Sequence, residues 1–210
     1  MRRAILALVL AGCAGAAPAA SRDVDLLKLI EPARDSVIGT WKFDGAALVS
    51  PNAKFGRMQI LYAPPEEYSV TLVAERTEGA NSIVLGLVSG GHPFMVAVDA
   101  AVGDPPEPMS GMELIDGKSF GDNETLLKGR LLQNSNPATV VVHVRRGRIG
   151  ATLNGKKIVD WEGEADRLSL HTKWKMRRAD ALWIGAFTSV WRVHALTLTP
   201  VTGEGRILSS

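Results

Sequence analysis

The chain has 210 residues, of which 46% are hydrophobic and 22% charged, with 24 basic and 22 acidic side chains. That is the length of one domain with or without a processed leader, and the composition excludes a disordered or fibrous chain. Without Arg2 and Arg3 the charges balance at 22 to 22, which excludes the positive field that non-specific nucleic-acid binding needs.

Residues 1–20 read as an export signal. Arg2 and Arg3 form a charged start, Ala4 to Ala11 a short apolar stretch, and small residues follow. Such a stretch is too short to span a bilayer. Within it, Leu10-Ala11-Gly12-Cys13 matches the lipobox of bacterial lipoproteins. Acylation of Cys13 would give a membrane anchor and a place in the periplasm or at the cell surface, with the outer membrane as the anchoring layer. Ordinary cleavage near Ala17-Pro18-Ala19 or Ala20 is the alternative. Cys13 is the only cysteine, so either route leaves the domain without a disulfide or a catalytic thiol.

Residues 21–38 carry one short helical signal. Asp25 is placed to cap it, Leu26, Leu27, Leu29 and Ile30 give it an apolar side, and Pro32 breaks it. From Gly39 onward the hydrophobic period is two. In Glu67–Arg76 the residues Tyr68, Val70, Leu72 and Ala74 share one face. In Ala138–Arg146 the residues Val140, Val142 and Val144 do the same, with His143 facing the other way. Ser82–Val88 and Pro93–Val98 flank Ser89-Gly90-Gly91-His92, a hairpin turn signal. Arg146-Gly147-Arg148 leads into Ile149–Leu153, and Asn154-Gly155 is the strongest two-residue hairpin signal in the chain. Lys157–Trp161, Ala181–Phe187 and Trp191–Thr199 complete the set. About a dozen short strands at this spacing, with no long helix between them, predict an all-β, antiparallel two-sheet sandwich over residues 39–202, behind a short N-terminal helix and before a tail at 203–210. Residues 99–123, with Pro105, Pro106 and Pro108, read as a long loop or pair of loops.

The run ATVVVHVRRGRIGATLNGKKIVDW at 138–161 resembles the central hairpins of concanavalin A-like and laminin-G-like jelly rolls. More narrowly, Tyr68 to Arg76, the Asn154-Gly155-Lys156 turn, the closing strand at 191–199, and the segments Asp116-Gly117-Lys118 and Asp122 to Thr125 are similar to the 3-keto-disaccharide hydrolase-type domains of exported planctomycete proteins. The resemblance implies a jelly roll, a glycan or envelope component as partner and, if the likeness extends to activity, a glycoside hydrolase. Jelly rolls host lectins, hydrolases and adhesion modules alike.

The residues themselves favour binding over catalysis. Glycoside hydrolysis needs two flanking carboxylates; the nearest pair, Glu162 and Glu164, follows the Asp160-Trp161 strand end and reads as solvated loop acids. Asp116, Asp122, Asn123 and Glu124 cluster around glycines, where their oxygens suit sugar hydroxyls or Ca²⁺, or simply close Asx turns. His143 lies on the polar side of a strand. The four histidines have no metal spacing. Among five tryptophans, Trp41, Trp183 and Trp191 read as core, whereas Trp174, in the basic run His171 to Arg178, reads as exposed and able to stack on a sugar ring. The expectation is an exported carbohydrate-binding or interaction module using Asp116, Asp122, Asn123, Glu124, His143 and Trp174. A hydrolase and a structural envelope protein are the alternatives.

Overall fold

The computed structural model describes residues 23–209; the expected signal and Cys13 lie outside them. In chain order the strands are β1 (Val24–Asp25), β2 (Ser36–Ile38), β3 (Lys42–Asp44), β4 (Ala47–Val49), β5 (Gly56–Ile60) and β6 (Tyr62–Ala63). Next come β7 (Glu67–Gly79), β8 (Ile83–Ser89), β9 (His92–Val102), β10 (Glu107–Glu113) and β11 (Leu127–Lys128). The set closes with β12 (Ala138–Arg145), β13 (Arg148–Leu153), β14 (Lys156–Glu162), β15 (Leu182–Ala186), β16 (Ser189–Thr202) and β17 (Arg206–Ile207). One sheet runs β14-β13-β12-β7-β16-β4-β3, with β1 added beside β16. The other runs β11-β10-β9-β8-β15-β5-β2, and β17 pairs with β6 apart from both. The pairings are antiparallel throughout, so the fold is the expected two-sheet jelly-roll sandwich.

The inner faces follow the sequence period. Tyr68, Val70, Leu72 and Ala74 of β7 and Val140, Val142 and Val144 of β12 are all buried, and their strands pair in register, Val140 opposite Leu72 and Val142 opposite Val70. They pack against Leu85 and Leu87 of β8, Phe94 and Val96 of β9 and Ile184 of β15 in one core. The Tyr68 hydroxyl donates to the Val88 carbonyl at 2.8 Å and accepts its N–H at 3.0 Å, stitching one sheet to the other. Asn154 and Gly155 both take positive φ, the geometry a tight hairpin turn demands.

Arg76 occupies the last inward position of β7 and is fully buried. Its guanidinium donates to Asn134 Oδ1 (2.6 Å), the Leu132 carbonyl (3.1 Å) and Asp99 Oδ2 (3.3 Å), and lies over the Trp191 ring. Asp99 in turn accepts the Leu131 and Leu132 N–H groups. A charge placed this deep needs that full set of partners, and the set pins the 130–134 connection to the sandwich.

Two expectations are corrected. The helical signal is two separate single turns. The first is a 3-10 turn, Leu26–Leu29, capped by Asp25, which accepts the Leu27 N–H at 3.2 Å. The second is a short α-turn, Pro32–Asp35. Pro32 opens that turn rather than merely ending the first, because its fixed φ and missing N–H suit the first helical position. The long loop at 99–123 is also partly strand: β9 runs to Val102, and β10 returns from Glu107 to Glu113. Pro105 and Pro106 sit in the connection. Pro108 sits opposite Ala101 at the end of the ladder, where a missing N–H is tolerated. Among the described residues no helix is long and apolar enough to cross a membrane.

Candidate functional site

The two sheets differ on their outer sides. On the β7–β12 sheet the outward residues Ser69, Thr71, His143 and Arg145 are partly or fully open to solvent. On the β8–β9–β15 sheet both faces are buried. Alternation sends Val84, Met95, Ala97 and Trp183 outward, yet they form a second apolar cluster with Phe120, Trp174 and Met176. Trp174 is thus 6% exposed, which corrects its reading as an open platform. Its ring stacks on Trp183 at 5.5 Å, and Phe55 meets it edge-on at 5.1 Å. Trp183 is buried as expected, but in this outer cluster rather than between the sheets. Its indole lies across Gly86, where a Cβ would come within 1.9 Å of it.

The cover is the segment after β14, which carries a 3-10 turn at Thr172–Trp174. Polar staples fasten it to β5. The Arg57 side chain donates to the Lys175 carbonyl (3.1 Å), and the Arg178 N–H donates to Gln59 Oε1 (3.2 Å). Aromatic and methionine side chains between those staples exclude water, so the basic composition of residues 173–178 hides an apolar underside.

Where the cover stops, a pocket of about 230 Å³ opens on this outer face. Phe55, Phe120 and Trp174 form its walls, Val84, Met95 and Ala97 its base, and Asn81, Ser82, Glu113, His171 and Lys173 its polar groups. Glu113 stands on β10 opposite Met95 of β9. It is 7% exposed and is the sole carboxylate among the lining residues. Its carboxyl makes no hydrogen bond or ion pair with the other described residues, and burial raises its pKa, opposed by His171 when that ring is protonated. The His171 Nδ1 accepts the Lys173 N–H at 3.1 Å, which leaves the proton of the neutral ring on Nε2.

The residues singled out from sequence do not converge here. Asp116 and Glu124 do meet, on Arg167. Asp116 accepts from it at 2.6 and 3.0 Å, and Glu124 accepts from it at 3.1 Å and from the Trp161 indole at 3.0 Å. Arg167 holds the Asp116 carboxyl below its usual range. Glu124 is lowered first by its own backbone N–H, then by Trp161 and Arg167. Asn123 is buried, and its amide is spent inside the loop: Nδ2 donates to the Met112 and Lys118 carbonyls, and Oδ1 accepts from the Thr125 N–H and hydroxyl. Asp122 stays exposed, its nearest partner the Ser119 hydroxyl at 3.5 Å. His143 lies on the opposite sheet, hydrogen-bonded to the Ser69 hydroxyl at 2.8 Å, its pKa lowered by burial and by Arg145. Glu162 pairs with Arg148 in the β14–β13 ladder, and Glu164 precedes the 3-10 turn Ala165–Arg167. Among the described residues no three His, Cys, Asp or Glu side chains are grouped to hold a metal ion.

Of the pocket, sequence reading held only Trp174 as a site residue. Glu113 did leave a signal: it is the one charged residue in Met109-Ser110-Gly111-Met112-Glu113-Leu114-Ile115, and an acid inside so apolar a run needs a reason.

No family model and no curated protein sequence matches the chain. Solved structures do match. The carbohydrate binding module CBM66 from Bacillus subtilis superposes with a TM-score of 0.54 at 9% identity, over 78% of this chain and 93% of that one. The exoplasmic/lumenal domain of VIP36, in a Ca²⁺/Man3GlcNAc-bound form, gives 0.56 at 12% identity, over 84% and 89%. Crh5 transglycosylase in complex with NAG gives 0.57 at 8%, over 88% and 85%. At these identities the likeness concerns the fold, a sandwich shared with carbohydrate-binding domains.

Proposed function

We propose that this protein is an exported carbohydrate-binding module, and that the pocket beside Trp174 is where it holds a sugar. The observation that carries the reading is Glu113, a buried carboxyl without a partner among the described residues, at an aromatic-walled opening. A free acceptor among apolar walls, with a few convergent polar groups, is the makeup of a small-ligand site. Half-buried Phe55 offers apolar surface to a sugar ring, backed by the buried Phe120 and Trp174, and His171 and Lys173 offer donors to its oxygens. Sandwiches of the same fold that are named for binding carbohydrate support the reading. The leader with Cys13 supports a place in the cell envelope, where glycans are at hand.

The hydrolase likeness, including action on a 3-keto-disaccharide, would rest on Glu113 as the acid. The lining supplies no second carboxylate beside it, so binding is the reading the geometry favours. A Ca²⁺ role for the 116–124 loop would have to displace Arg167 from Asp116 and Glu124.

A glycan array probed with the full chain tests the proposal, alongside a hydrolysis assay on the same sugars. Expected are glycan binding at millimolar strength or better, its loss in Ala101→Trp at the half-buried pocket rim, and no turnover. Silence across the array would overturn the reading.

A further inference from the structure

A neutral polyol is a poor occupant for the depth of this pocket. Every hydroxyl buried there needs a partner, and the walls are mainly Phe, Met, Val and Ala. Two of the polar groups, Asn81 and Ser82, lie toward Ala101, where Asn81 Oδ1 accepts the Ser82 and Ala101 N–H groups; the others are Glu113, His171 and Lys173. Glu113 is an acceptor. His171 is a donor through Nε2, because its Nδ1 is occupied by the Lys173 N–H, and the Lys173 ammonium, lying 5.7 Å from the centre of the Phe55 ring, is a second donor. A free amine would suit Glu113 but would face the positive charge of Lys173. A carboxylate would face Glu113.

We propose that the pocket selects sugars carrying an acetamido group, with the amide N–H donating to Glu113, the amide oxygen accepting from His171 or Lys173, and the methyl group lodged against Met95, Ala97 and Phe120. The amide N–H meets an acceptor in Glu113, the amide oxygen a donor in His171 or Lys173, and the methyl group the apolar base. The sugar ring then rests toward Phe55 and Trp174, nearer solvent, where its hydroxyls keep their water. The inference rests on the reading of the pocket as a sugar site, and deepens it to one class of sugar.

Titration of the full chain with N-acetylglucosamine, N-acetylgalactosamine and N-acetylmannosamine, each against its parent hexose and its free amine, tests it by calorimetry and by saturation-transfer NMR. At least one acetamido sugar is expected to bind tenfold or more tightly than both of its counterparts. Its methyl protons should receive the strongest saturation and shift upfield beside the aromatic rings. Glu113→Leu should erase the preference, whereas Glu113→Gln, which keeps an acceptor oxygen at the same place, should retain most of it. Equal binding of acetamido, amine and parent sugars would overturn the inference and leave the sugar site standing. So would a preference that survives Glu113→Leu in a folded variant, or a methyl that receives no saturation in the wild-type chain. Binding of none of these sugars, together with silence on the array, would remove both.

Discussion

The outer faces of the two sheets are built from the same backbone ladder and have opposite fates. On the β7–β12 sheet the outward row Ser69, Thr71, His143 and Arg145 meets water and pairs locally, as when Ser69 bonds His143. On the β8–β9–β15 sheet the outward row Val84, Met95, Ala97 and Trp183 is apolar and lies under chain from residues 120 and 170–176. An antiparallel sheet stably leaves one face wet, and when it does not, the cover brings its own cost in ordered backbone. The gain on the covered side is a water-poor recess with fixed walls, a property the wet face lacks.

Breaking the cover gives the largest expected effect. Trp183→Ala removes the side chain that spans Gly86 and carries Trp174, and should cost about 3–5 kcal/mol in chemical denaturation. His143→Ala on the wet face should stay within about 0.5 kcal/mol. A small cost for Trp183→Ala would mean that the cover does not depend on the stacked indoles.

Adding atoms sharpens the same contrast. Gly86→Val would drive a side chain into the Trp183 ring and should cost about 1–3 kcal/mol. Gly150→Ala, whose Cβ would meet only the Val159 carbonyl at 4.0 Å, should be close to neutral in the same measurement.

Glu113 tests the recess by pH. Burial raises its folded pKa above the ordinary 4.5. The folded protein therefore holds this proton more tightly than the unfolded chain does, and stability is lost as pH rises from about the unfolded value through the folded one. Glu113→Leu should thus be more stable than wild type at neutral pH, by about 1 kcal/mol, with the pH-linked part of the advantage fading below the unfolded pKa. Denaturation midpoints measured across pH check this; an advantage that grows on acidification would contradict it.

The smallest effect is expected at the loop acids. Asp116→Asn loosens an exposed pair with Arg167 and should leave the denaturation midpoint almost unchanged. In the wild type, NMR titration should find the Asp116 carboxyl still ionised below the usual range.

Period-two alternation in residues 67–76 and 138–153 was enough to read the inner core, because the apolar inward side chains there face the opposite sheet. The Asn154-Gly155 hairpin was equally plain, since few dipeptides accept two positive φ values. Residues 93–98 and 181–187 were also legible as strands, but apolar residues on both faces there leave no alternation from which to tell the inner side; the reading failed at Trp174, where four neighbouring basic residues suggested an open loop. Their charged ends reach solvent, carbonyls or, for Arg178, the Asp180 carboxylate, while the indole turns under. The acids at 116–124 looked like one ligand set, and Arg167, 43 residues beyond Glu124 in sequence, takes up two of them.

The sequence by itself determined the fold class, the hairpins and the inward face of the central strands, because those depend on neighbours a few residues apart and on the two-residue period of extended backbone. Only the tertiary structure decided which sheet is covered, that Glu113 is left without a partner among the described residues, and that Phe55, Phe120, His171 and Trp174 surround one opening. Those facts depend on segments far apart in the chain being pressed together by apolar burial, a force without direction along the sequence.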